Sequence, residues 1–297
     1  VRDSGGTANG GIDTSVNANT LTFNVTAIND APVISVASLG GDFTEGLSNN
    51  PGAPVYLFNV LSIATGPFNE SSQKLTQFTL TVSGLQDGAN EVLLLASNDV
   101  QLTDGFSGVT SNAIPEINNV AYSVSVSGGV ATVTVTPTAD SPLSAFVSLM
   151  EGLRYRNDNN GAIVPGTRVI TLTSLSDNGG VASGGADTAA LNISSTVNVL
   201  PVVPTVASMT ITSGTGIQSG LYNTGDVITT TVTFTEAVNV TGTPQITLNI
   251  GGTLVQANYA GGSGGTALTF TYTIQAGQED ADGISVNANT LALNGGT

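Results

Sequence analysis

Chemistry in this chain falls to oxygen. The sequence holds 21 Asp and Glu against 5 Lys and Arg, with no His and no Cys, giving a formal net charge of -16. Without imidazole or thiol, the usual nucleophile–base pairs have no members. Disulfides and thiolate metal sites are excluded for the same reason. Paired carboxylates could still hydrolyse a glycoside. Aromatic residues make up only 5% of the chain and Trp is absent, however, so flat platforms for sugar rings are scarce. The expectation is that the chain is not an enzyme. So few cations cannot neutralise a run of phosphates or hold an anionic membrane surface, which argues against nucleic acid and membrane insertion. What an acid-rich, base-poor surface can do is hold calcium, which prefers carboxylate and carbonyl oxygens. The alternative is that the charge only keeps an exported protein soluble.

The candidate oxygens sit at corners. Asn29 and Asp30 lie between two extended runs, in Val25-Thr26-Ala27-Ile28-Asn29-Asp30-Ala31-Pro32-Val33. Pro32 removes a backbone donor and biases Ala31 toward an extended conformation. Asp13 and Asp187 occupy matching Gly-Gly-x-Asp-Thr turns, and Asp3 and Asp177 open the same two hairpins. Carboxylates crowded at such corners repel one another without a cation. The competing reading is that these residues make turns through side-chain-to-backbone hydrogen bonds. Glu279-Asp280-Ala281-Asp282-Gly283 is a third acidic turn, either solvated or a calcium corner, and is too short for the calcium loop of a helical hand.

The elements that position these corners are strands. Phe78-Thr79-Leu80-Thr81-Val82, Ala131-Thr132-Val133-Thr134-Val135 and Ile246-Thr247-Leu248-Asn249-Ile250 alternate with period two, as do Leu21 to Val25, Tyr122 to Val126, Val169 to Leu172, Thr231 to Phe234 and Leu268 to Tyr272. Thr faces out and Val, Leu, Phe or Tyr face in, the pattern of a sheet with one wet face. Ser127-Gly128-Gly129 and Gly251-Gly252 supply hairpin turns. One helix competes: Ser141 can cap, Pro142 fits the first helical position, and Leu143, Phe146, Val147, Met150 and Leu153 follow helical spacing up to Gly152. The fold class read from this is all-β: short antiparallel strands in β-sandwiches with one short helix.

An internal echo sets the organisation. Val1 to Thr14 matches Leu175 to Thr188, from Arg2-Asp3-Ser4-Gly5-Gly6 against Ser176-Asp177-Asn178-Gly179-Gly180 to Asp13-Thr14 against Asp187-Thr188. Residues 1–29 therefore read as the closing hairpin of one sandwich, 30–200 as a complete sandwich with insertions, and 201–297 as a third.

The junction around Asn29-Asp30-Ala31-Pro32 resembles that of bacterial cadherin-like and immunoglobulin-like tandem repeats of giant secreted adhesins and surface proteins. The resemblance implies that an acidic residue early in a domain meets the acidic linker around calcium, which adds Asp42 and Glu45 to Asn29 and Asp30. The segment from Tyr222-Asn223-Thr224-Gly225-Asp226 to Leu291-Ala292-Leu293-Asn294-Gly295-Gly296-Thr297 is similar to a second bacterial immunoglobulin-like family. In that family Asn-Gly-Gly-Thr runs on into an Asp-containing turn and a last strand. Writing Thr297 before Val1 gives that continuation, so one expectation is that the chain is one period of a longer array whose neighbour, on the same polypeptide or another subunit, supplies a strand from residues 15–26; the other is an arbitrary fragment boundary.

The second junction, Val199-Leu200-Pro201-Val202-Val203-Pro204, carries no acid, and its prolines would stiffen it. The implied function is a structural repeat of an extracellular bacterial adhesin, fibre or surface filament, stiffened by calcium, whose partners are neighbouring copies placed head to tail. Two other readings compete. One is a glycan- or protein-binding module, which an exposed Tyr56, Tyr122 or Tyr155 at a loop tip would favour. The other is an accessory domain of a hydrolase.

Overall fold

The computed structural model describes residues 2–14, 20–24, 28–46, 51–66, 70, 72–114, 117–139, 141–159, 163–216 and 221–297. Within them the fold is all-β with one short helix. A seven-stranded sheet is built from β2 (Gly41–Thr44), β5 (Leu75–Ser83), β8 (Ser107–Ile114), β9 (Ile117–Ser127), β10 (Val130–Pro137), β12 (Gly166–Asp177) and β13 (Thr188–Leu200). Its order is β2-β13-β12-β5-β10-β9-β8. A four-stranded sheet joins β3 (Val55–Tyr56), β11 (Arg154–Asn157), β6 (Glu91–Leu95) and β7 (Asn98–Gln101), and β1 (Val33–Ser38) pairs with β4 (Phe58–Ala64).

Alternation builds the core between these sheets. Leu75, Phe78, Leu80 and Val82 of β5 point inward, and Leu80 lies opposite Val133 on one side and Leu172 on the other. Phe58, Leu93, Tyr155 and Val197 complete the same buried cluster, which draws on residues 34–199. The helix α1 (Leu143–Glu151) buries Ala145, Phe146, Leu149 and Met150, and Phe146 meets Phe78 edge to face at 6.5 Å. Its start differs from expectation: Pro142 is the extended N-cap residue, outside the first turn, and the Ser141 hydroxyl bonds the Ala139 carbonyl instead of capping. The two-residue turns behave as their glycines dictate. Gly128-Gly129 and Gly251-Gly252 all take positive φ, the conformation that suits the twist of a tight hairpin.

The echo in sequence is an echo in geometry. Asp3 N–H donates to the Asp13 carbonyl at 2.8 Å, and Asp177 N–H to the Asp187 carbonyl at 2.9 Å. Gly5 N–H meets Asp3 Oδ1 at 2.7 Å, and Gly179 N–H meets Asp177 Oδ1 at 2.8 Å. Each hairpin carries a short 3-10 turn, Ala8–Gly10 or Ala182–Gly184, with its middle residue at positive φ (Asn9 +54°, Ser183 +57°). Beyond the turn the copies diverge. Thr188–Leu200 is a strand, β13, whereas residues 20–24 form none, against the alternation of Leu21 and Phe23. Residues 15–19 and 25–27, the rest of that expected strand, lie outside the described residues.

The C-terminal region has its own core, drawn from residues 209–291 around Ile228, Val232, Ile246, Leu248 and Phe270. Its strands are β14 (Val206–Thr215), β15 (Val227–Val238), β16 (Gln245–Ile250), β17 (Thr253–Gly261), β18 (Gly265–Thr273) and β19 (Ser285–Val286). They form one sheet in the order β14-β15-β18-β17-β16-β19. The last segment lies along the start of β16: Ala292 bridges Gln245, and the backbones of Thr241 and Thr297 exchange hydrogen bonds at 2.8 and 3.2 Å.

Candidate functional site: an oxygen-rich corner at Asn29

The hairpin between β12 and β13 closes over the incoming chain at Asn29. The Asn29 side-chain amide donates toward Ala186 O at 2.7 Å, Gly180 O at 3.0 Å and Asp177 Oδ1 at 3.1 Å. Ala186 N–H returns a bond to the Asn29 carbonyl at 2.9 Å. Gly179 and Gly185 make the clasp possible, because a Cβ on Gly179 would lie 2.2 Å from Asn29 Oδ1 and one on Gly185 would lie 3.1 Å from the Asn29 backbone. Asn29 and Asp177 are both buried, at 8% and 5% exposure.

On the other side of the dipeptide, Asp30 N–H donates to Glu70 Oε1 at 3.1 Å, and the Thr65 hydroxyl holds the Glu70 carbonyl at 3.0 Å. A cavity of about 320 Å³ lies beside it, bordered by Thr65, Gly66, Glu70, Gln73 and Lys74. Buried acceptors without a hydrogen-bond partner flank Asn29-Asp30: Asn29 Oδ1 and Asp177 Oδ2 on one side, Glu70 Oε2 and Gln73 Oε1 on the other. Carboxylate oxygens removed from water without a donor are costly. A hard divalent cation is the group whose chemistry suits such oxygens. Among the described residues no group of three or more His, Cys, Asp or Glu gathers closely enough to hold a metal alone, so amide oxygens and water would have to complete a shell here.

The six residues expected to bind calcium are distributed over separate places. Asn29 and Asp30 are at this corner. Asp187 is near it, where its Oδ1 accepts from the Thr188 hydroxyl at 3.0 Å and its carbonyl accepts from Asp177 N–H. Asp13 belongs to the first hairpin, paired with Arg2 Nε at 3.0 Å. Asp42 and Glu45 go elsewhere. β2 runs parallel to the end of β13, with Val197 opposite Gly41 and Leu200 opposite Thr44. Asp42 therefore accepts from the Asn198 amide at 3.0 Å, and Glu45 N–H donates to the Leu200 carbonyl at 3.2 Å. The acid-free second junction in sequence thus has two acidic residues beside it in space. The Glu279–Gly283 turn resolves as a backbone-satisfied turn. Asp280 accepts from the N–H groups of Gly251, Gly283 and Asp282, and the Gly251 bond first of all holds its carboxyl below the usual range.

A second polar cluster went unread in the sequence. Arg168 is fully buried, with its Nη2 3.1 Å from Glu91 Oε1 and 3.2 Å from Asp87 Oδ2. Tyr155 donates to Glu91 Oε2 at 2.8 Å, and Asn157 to Asp87 Oδ2 at 2.7 Å. Burial, then the Glu91 charge, pushes the Tyr155 phenol far above its ordinary value. Burial alone would depress Arg168, but its bonds to Glu91 and that residue's charge more than offset it and keep the guanidinium above its usual value. One signal was available: Arg168 is in phase with Ile170 and Leu172, both inward-facing. Tyr155 at 0% exposure is no loop-tip residue, and Tyr122 stacks on Phe106 at a centroid distance of 6.0 Å. Tyr56 is the exposed member of the three, at 52%, with Arg154 over its ring at 5.2 Å.

Compared with known proteins, the chain matches no family model and no curated sequence. Its class therefore rests on the fold described above, an all-β, sandwich-like architecture carrying one hairpin design twice.

Proposed function

We propose that the chain is a structural repeat of an extracellular bacterial adhesin, fibre or surface filament, built from tandem immunoglobulin-like and cadherin-like sandwiches and stiffened by calcium. The observation that carries this reading is the duplicated hairpin, in which two copies 174 positions apart repeat the same turns, caps and backbone bonds. A unit that closes one sandwich and recurs ahead of the next belongs to a serial array. The second copy clasps the linker at Asn29, so the joint and the hairpin form one device.

Calcium enters at that joint. Asn29 Oδ1, Asp177 Oδ2 and Glu70 Oε2 are the acceptors it would satisfy, with Asp30 beside them. When bound, the ion would neutralise the carboxylates and fix the linker against the hairpin, adding stability by mass action. The residues themselves already orient the joint, because Asn29 is tied on three sides and Asp30 N–H is tied to Glu70.

The test is calorimetric titration with calcium, together with thermal unfolding with and without a chelator. Calcium should raise the melting temperature, and Asp177→Asn with Glu70→Gln should abolish the rise. No heat and no shift in the natural chain would remove calcium from the proposal. A compact, bent particle in small-angle scattering would remove the stiffened serial array.

A further inference from the structure

We propose that the C-terminal sheet accepts a β-strand from a second copy of this chain, and that the donated strand is the segment 20–24. The inference rests on the reading of the chain as a serially joined element and names the partner and its docking slot. The two ends of the sheet order, β14 and β19, approach each other without pairing. Two cavities of about 450 and 540 Å³ border this gap, the first lined by Ile211 and Ile284 with Gln278 and Asp280, the second by Met209, Val286 and Leu291 with Asn287 and Asn289. Met209 and Ile211 of β14 form one wall, and Ile284, Val286 and Leu291 form the other; all are partly buried hydrophobics packed on the core. The unpaired edge of β14 offers an added strand main-chain partners, and Met209 and Ile211 beside it border pockets for alternate side chains.

Leu21 and Phe23 are each 76% exposed, an alternating apolar pair without a core. The corresponding positions of the second copy, Ser195 and Val197, are 0% exposed, inside the sheet as part of β13. The same design thus delivers an inward-facing strand in one copy and presents it to solvent in the other. Charge favours this segment as well. Copies with a net charge of -16 repel, yet residues 14–26 contain no charged side chain. The segment brings no further carboxylate beside Asp280, which lines the first cavity.

The experiment is sedimentation of the full chain over a concentration series. The natural chain should form oligomers that lengthen with concentration. Leu21→Asp with Phe23→Asp should weaken association by about two orders of magnitude, since each replaced side chain forfeits roughly tenfold or more. Those residues are exposed in the monomer, so this variant keeps its fold. Met209→Arg should block the slot with a similar loss, its folding checked by circular dichroism. An equal mixture of the two variants should recover a one-to-one complex and stop there, because one intact strand meets one intact slot. A chain that stays monomeric, oligomers indifferent to the donor change, or a mixture that recovers nothing would each overturn the inference. None of these outcomes depends on the calcium titration, so the two proposals fail separately.

Discussion

Replacing Arg168 with Met tests the buried network directly. The guanidinium is fully buried, and so are its partners Asp87 and Glu91, whose side chains are 1% and 0% exposed. Met keeps much of the apolar volume but leaves two carboxylates facing each other with no cation. Breaking a buried pair in this way costs about 3–5 kcal/mol, a large part of the 5–15 kcal/mol typical of a folded protein. The assay is urea unfolding by circular dichroism, with hydrogen-exchange mass spectrometry on β6, β11 and β12 to assign the loss to the central core. A loss under about 1 kcal/mol would refute the argument that these charges depend on one another.

Two further outcomes follow from the same geometry. Tyr155 keeps its proton in the fold well above its ordinary range. Its contribution is therefore complete below about pH 10 and fades above it, by about 1.4 kcal/mol per pH unit, as the unfolded chain ionises; Tyr155→Phe should flatten that alkaline slope by one such increment in unfolding titrations. Asn29→Ala should cost about 1–3 kcal/mol and speed amide exchange in 177–187 while leaving the matching hairpin at 2–14 unchanged, and equal acceleration in both hairpins would show that the clasp is not local.

The strands were legible because Thr alternates with Val, Leu, Ile and Phe over stretches long enough to fix the phase, as in β5, β10 and β16. The hairpin echo was legible because its glycines and aspartates recur at fixed offsets: Gly6, Gly10, Gly180 and Gly184 take positive φ, and Asp3 and Asp177 each accept from the N–H two residues on. Half of the joint was readable at Asn29-Asp30, but Glu70 was not. It comes from a loop 40 positions away, and no periodicity announces it. The place of Asp42 and Glu45 beside the end of β13 was not readable, because parallel pairing of β2 with β13 is a long-range contact without a local trace. Residues 20–24 show the limit of pattern alone: alternation specifies a strand only where a neighbouring edge exists to pair with it.

That parallel edge has a mechanical side. β13 leaves the central sheet at Leu200, held laterally by β12 along most of its length and by β2 at its last four residues. Tension arriving through Pro201 pulls along the strand, so these cross-links are loaded together in shear instead of opening one after another like a zipper. The exit of the sheet is thereby a grip that resists force applied along the strand.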